Sequence, residues 1–209
     1  PVDAALAVRA EFAPLHWAPG TVASREDARV AAEIAGRVVA VAEVGRALRR
    51  GVPLARLDDA PVQLREQQAG AELSRLEAQL DLARKQEARY QALVRAAGIS
   101  GAQFDQAVAE RRMREQDVVA ARVALEQARL ARRQAVVRAP FDGVVVERAV
   151  QAGEYLGVGA PVARLVNTDA LEVRTRAPVS LAARLRPGER VTLRDGARSE
   201  AFVVDTVVP

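Results

Sequence analysis

From Pro61 to Val136 the chain runs for some 75 residues with one break, Ala96-Ala97-Gly98-Ile99-Ser100-Gly101, near its middle. No proline lies between Pro61 and Pro140, and within the stretch glycine is confined to Gly70, Gly98 and Gly101. The remainder is dominated by Ala, Leu, Arg, Glu and Gln, which lose least on entering a helix. Two helices of roughly 35 residues are expected, each about 50 Å long at 1.5 Å per residue. Gly98 supplies a C-terminal stop for the first. Ser100-Gly101-Ala102-Gln103 has the spacing of a capping box for the second.

The apolar pattern says how the two helices meet. Leu73, Leu76, Leu80 and Ala83 follow a 3-4-3 spacing that Tyr90, Val94 and Ala97 continue, with Glu87 interrupting. Val118, Ala121, Leu125 and Ala128 repeat the spacing on the return, with Phe104 and Ala107 in phase and Arg111 and Arg114 on the same phase. Such narrow seams fit an antiparallel coiled-coil hairpin. A helix in a compact bundle would carry a wider apolar stripe.

The flanks show what the hairpin interrupts. Gly45-x-x-Leu48-x-x-Gly51-x-Pro53-Leu-Ala-Arg-Leu57 matches Gly153-x-x-Leu156-x-x-Gly159-x-Pro161-Val-Ala-Arg-Leu165 at identical spacing, and Gly36 and Gly143 precede Val-rich runs upstream. This is an internal repeat of short strands and turns. A few short strands are marginal alone in water, so two copies are expected to close one sandwich-like core. Gly36, Gly45, Gly51, Gly143, Gly153 and Gly159 are read as its turn glycines. The chain thus makes half a β-domain, leaves it for the hairpin, and returns to finish it.

After Val166, strands are expected at 171–177, 190–194 and 200–207, and a short helix at 180–185 capped by Ser180. Pro187-Gly188 and Asp195-Gly196 mark turns. With extended chain from TVASREDARVAAEI and a short strand within 2–12, these suggest a small β-barrel that the chain leaves before any closure. The chain opens at Pro1 without a methionine, as a processed or trimmed form would.

Chemistry is sparse. The sequence holds no cysteine and one histidine, His16 beside Trp17, which reads as a packing residue because a metal site needs several convergent donors. There is no G-x-S-x-G, P-loop or HExxH. Asp58-Asp59, Glu26-Asp27 and Asp142-Gly143 stand at element boundaries, where Asp caps or turns. No catalytic residue, cofactor or metal is expected, and the chain reads as a non-enzyme. Acidic residues alternate with the arginines along the helices, so the net charge of +4 marks no one-signed nucleic-acid stripe. No run reaches the length of a membrane span.

A duplicated half-motif around a helical hairpin, followed by barrel strands, resembles the periplasmic adaptor proteins, or membrane fusion proteins, of the HlyD/AcrA type. AEIAGRVVAVAEVG with its G-x-PLARLD tail and RAPFDGVV with its PVARL tail carry the resemblance. It implies an elongated α+β fold: a lipoyl- or biotinyl-like β-sandwich interrupted by a long antiparallel hairpin, then an incomplete β-barrel. Its domains would be a membrane-proximal strand at 1–12, a partial barrel from 13–29 and 167–209, lipoyl-like halves at 30–58 and 137–166, and the hairpin at 59–136. It further implies a periplasmic adaptor of a Gram-negative tripartite efflux pump, associated with the inner membrane and self-associating as a trimer or hexamer. The transporter it implies is of RND type, with an ABC exporter or type I secretion system as the alternative.

Adaptors that dock to TolC-like outer-membrane channels carry Arg-x3-Leu-x6-Ser around the hairpin turn, and Arg89, Leu93 and Ser100 stand at that spacing. The resemblance therefore makes them the channel contact. Read as structure alone, Arg89 goes to solvent, Leu93 to the seam and Ser100 to the cap. Two other classes compete. A carrier domain for lipoate or biotin needs a lysine on the turn joining its halves, and the only lysine, Lys85, lies mid-helix, roughly 40 Å from the base by helix rise. A plain coiled-coil scaffold explains the hairpin but neither the repeat nor the tip residues.

Overall fold

The duplicated motif folds as two interlocked halves. The computed structural model describes residues 16–95, 100–178, 181 and 185–208. The strand expected within 2–12, the stop at Gly98 and the Ser180 cap lie outside the described residues. By compactness the chain divides into one unit of Ser24–Ala170 and another of Pro1–Ala23 with Leu171–Pro209.

The order is β1 (Gly20–Ser24), β2 (Asp27–Ala31), β3 (Gly36–Val41), β4 (Ala47–Leu48), β5 (Pro53–Leu57), α1 (Ala60–Arg95) and α2 (Gly101–Gln134). It continues with β6 (Val136–Arg138), β7 (Gly143–Arg148), β8 (Tyr155–Leu156), β9 (Pro161–Val166), β10 (Leu171–Thr175), β11 (Arg190–Asp195) and β12 (Arg198–Val203). The run read as plain extended chain is two strands with a bend between them. There the Ser24 hydroxyl donates to the carbonyls of Glu26 and Asn167.

Two four-stranded sheets form, in the orders β2-β9-β7-β4 and β6-β5-β3-β8. All their pairs are antiparallel. Each sheet has a central pair from one half of the repeat, flanked by strands from the other half. The turns lock the exchange. Gly45 N–H donates to Val145 at 2.7 Å and its counterpart Gly153 donates to Val38 at 2.8 Å. Gly51 donates to Ala139 and Gly159 to Ala32, both at 2.8 Å. These four glycines have φ of 86°, 97°, 82° and 79°, a region that costs an L-residue its Cβ clearance. Gly36 and Gly143 differ from that expectation: they open β3 and β7 without positive φ.

The core between the sheets is apolar. Leu54, Leu165, Val38, Val145 and Val162 are fully buried, each contributing about 1.5–3 kcal/mol by leaving water. They come from both halves, so neither half has a core until the other arrives.

The second unit holds two two-stranded sheets, β1-β10 and β11-β12. The β11–β12 register runs from Arg190 opposite Val203 to Asp195 opposite Arg198. Gly188 and Gly196 take the positive φ their turns require. Among the described residues the barrel is open.

Candidate functional site

The hairpin is rooted in the sandwich. Val62 of α1 is part of the buried core, and Ala131 of α2 packs against it. Asp58 Oδ1 accepts from Ala60 N–H at 3.1 Å at the start of α1, the boundary role read from its sequence position. Asp142, read as a turn residue, accepts from Arg50 N–H across the two halves at 2.6 Å. Gln134 Nε2 donates to Glu33 at 2.8 Å where α2 returns. From this root α1 and α2, at 36 and 34 residues, extend about 50 Å.

The seam forms at most of the expected residues; Ala97 lies outside the described residues. Leu80 and Ala83 are buried on α1, and Ala107, Val118, Ala121 and Leu125 on α2. Leu73, Leu76, Phe104 and Ala128 are half-buried. The two interruptions in the pattern turn out to be partners. Glu87 Oε2 meets Arg111 Nε at 2.6 Å, with both side chains only about a quarter exposed. Arg111 also holds Glu115 at 2.5 Å, and Arg84 reaches Glu115 from α1 at 3.2 Å. Hydrogen bonding from Arg111, then from Arg84, keeps the Glu115 carboxyl below its ordinary range. Further down, Glu77 pairs with Arg122 and Glu66 with Arg132.

A polar pair inside an apolar seam costs stability but specifies register. Arg111→Leu should therefore lower the thermal midpoint by several degrees, because it leaves Glu87 without its partner in the seam. Glu87→Leu with Arg111→Leu should regain that loss. Thermal unfolding of the three proteins checks this, and an unchanged midpoint for the single variant would show that the pair carries no weight.

The seam loosens toward the turn, with Tyr90 half-buried and Val94 already 37% exposed. Leu93 lies off the seam line and is 38% exposed. Arg89 is exposed and makes no ion pair among the described residues, whereas Lys85 one turn below is held by Asp81 at 2.6 Å. Ser100 is the N-cap residue of α2, but its hydroxyl makes no capping bond. The capping box read from Ser100 and Gln103 is not formed: Gln103 N–H instead donates to the Ser100 carbonyl at 3.1 Å. A tight turn of the backbone satisfies that donor without the side chain.

Among the described residues no cluster of three or more His, Cys, Asp or Glu could hold a metal, and no helix is long and apolar enough to cross a membrane. Lys85 sits on α1, far from any turn of the sandwich.

No family model matches the chain. Over 183 residues, 86% of this chain, it is 30% identical to the multidrug resistance protein MdtA of Yersinia pestis (strain Pestoides F). It spans 41% of the length of that relative. Among solved structures, MacA from Actinobacillus actinomycetemcomitans aligns with a TM-score of 0.74 at 18% identity, over 91% of this chain and 65% of MacA. The membrane fusion protein Spr0693 from Streptococcus pneumoniae R6 aligns with a TM-score of 0.72 at 17% identity, over 90% and 81%. A sandwich of swapped halves, a hairpin inserted between them and open barrel strands make the fold that of the membrane fusion type. Its sequence likeness runs to multidrug resistance proteins.

Proposed function

We propose that the chain is part of a periplasmic adaptor of a tripartite efflux pump, in which the hairpin reaches a TolC-like outer-membrane channel and the base rests on an inner-membrane RND transporter. The observation that carries the reading is the state of the tip. Arg89 has no ion-pair partner among the described residues, Leu93 is partly exposed, and the Ser100 hydroxyl makes no capping bond. All three groups thus present surface that a partner could meet. An aliphatic group between a cation and a hydroxyl suits the ends of channel helices, whose last carbonyls lack intrahelical partners. The partial barrel and any further membrane-proximal part would face the transporter. Several copies, as a trimer or hexamer, would surround one conduit in the periplasm at the inner membrane.

The test is crosslinking in cells of the full-length adaptor carrying cysteine at 89, 93 or 100. Capture of the outer-membrane channel from these positions, and not from Gly45 or Gly51 at the base, is the expected result. Failure at all three tip positions, while cysteines in the base capture other proteins, removes the docking role.

A further inference from the structure

The two sheets of the sandwich are built from equivalent positions of the repeat, yet their outer faces differ. On β2-β9-β7-β4 the arginine charge is answered: Arg164 holds Asp27 at 2.6 and 2.8 Å, and Glu147 stands opposite it. On β6-β5-β3-β8 the equivalent arginine is Arg56, and Ala40 stands in the place of Glu147. Arg37 and Tyr155 pair with each other where the first sheet pairs Val144 with Ala47. Arg37 and Arg56 are exposed and make no side-chain hydrogen bond or ion pair among the described residues. Tyr155 is 72% exposed. Arg138 of β6 gives one N–H to the Gly51 carbonyl at 2.8 Å and is otherwise open. The carboxylates alongside, Asp58 and Glu154, accept instead from the backbone N–H groups of Ala60 and Gln151.

Arg138, Arg56, Arg37 and Tyr155 thus form a row slanting across all four strands, about 15 Å wide at the usual spacing of strands. Every departure from the equivalent face adds a cation or an aromatic ring, or removes an acid. We infer that this face binds the carboxylate-bearing glycan of the cell wall, its guanidinium groups pairing with carboxylates while the Tyr155 ring lies on a sugar. A guanidinium engages a carboxylate through two parallel N–H groups, and an open phenol ring offers an apolar surface with a polar edge. From the adaptor reading this takes only the compartment: a protein reaching from one membrane to the other passes the wall.

The row decides between kinds of anion. It is wider than one small anion and suits charges repeated along a polymer. An acidic protein fits it less well, because the cores of protein interfaces are depleted in charge and this face has guanidinium groups at its centre. Each contact is exposed and screened by salt, so binding draws its strength from many of them along one polymer.

The test is sedimentation of the purified full-length adaptor with isolated cell-wall sacculi. The adaptor should be carried down at low salt and released as salt rises. Arg37→Glu with Arg56→Glu should weaken binding by about tenfold or more, the loss of two charge-assisted contacts. Arg29→Glu with Arg148→Glu, an equal change of charge on the other sheet, should leave it intact. Sacculi whose carboxylates have been amidated should fail to bind the unaltered protein, an arm that needs no variant to fold. The inference is overturned if the adaptor stays in solution, if the two double variants lose binding equally, or if amidated sacculi bind as well as native ones. Binding to polyglutamate without binding to sacculi also overturns it and assigns the face to an acidic protein. Tip cysteines that capture no channel while sacculi still bind would count against the adaptor reading alone.

Discussion

Arg89→Asp is expected to return cells to the drug susceptibility of a strain lacking the adaptor, with the protein's abundance and thermal midpoint unchanged. The stability half of that expectation follows from exposure. Arg89 is at the surface of α1 with no ion pair among the described residues, and surface substitutions away from caps and networks usually stay within about 0.5 kcal/mol. The functional half follows from what a guanidinium does at a helix end. A hydrogen bond involving a charged group contributes roughly 1.5–3 kcal/mol, and a carboxylate in its place is repelled by the same carbonyls. In the smallest proposed assembly three copies each lose that contact. At about 1.5 kcal/mol apiece the docking constant falls by about three orders of magnitude. Arg65→Asp, an exposed change near the root of the same helix, serves as the control and should leave export intact. Export that survives Arg89→Asp at normal protein levels would mean that the exposed guanidinium has no docking role.

Much of this fold was legible because its strongest signals are local or repeated. The absence of proline within the stretch, with Pro61 near its start and Gly101 after the break, set the starts of α1 and α2 to within a residue or two. The duplicated glycines announced two halves of one β-domain. What they could not announce is the exchange of edge strands, because spacing within a half says nothing of which sheet its outer strands join. The seam was legible residue by residue, yet Glu87, Arg111 and Arg114 looked like defects in it. Glu87 and Arg111 are equidistant from the turn, which was the signal that they meet. Arg114 instead holds Glu110 and Asp117 on its own helix. At the tip the S-x-x-Q spacing pointed to a capping box that the structure does not form. Spacing shows that such a bond is within reach, and local backbone geometry decides whether it is made.

The two strand-opening glycines allow a sharper trial of the repeat, because equivalent positions should answer differently to one added methyl group. At Gly143 a Cβ would stand 2.6 Å from the Val166 carbonyl oxygen and 2.9 Å from its carbon, both backbone atoms of β9. These atoms cannot turn aside as a side chain can. Val166 also pairs with Val144 and Asp27, so moving it disturbs the middle of the β2-β9-β7-β4 sheet. At Gly36 the nearest atom to a new Cβ is Leu57 Cβ at 3.4 Å, an ordinary van der Waals separation. Gly143→Ala should therefore cost about 1–3 kcal/mol or more, the range for overpacking that the surroundings cannot relieve. Gly36→Ala should be close to neutral, since alanine also restricts the unfolded chain. Urea unfolding of both variants reads the difference directly. With the midpoint falling and the slope unchanged for Gly143→Ala, the loss is one of native packing rather than of denatured-state compactness. Equal losses at the two sites would contradict the close β7–β9 approach. The swap of edge strands gives the result a wider reach: β9 lies between β2 from the first half and β7 from the second, so displacing Val166 loosens the junction of the halves and, with it, the root on which the hairpin stands.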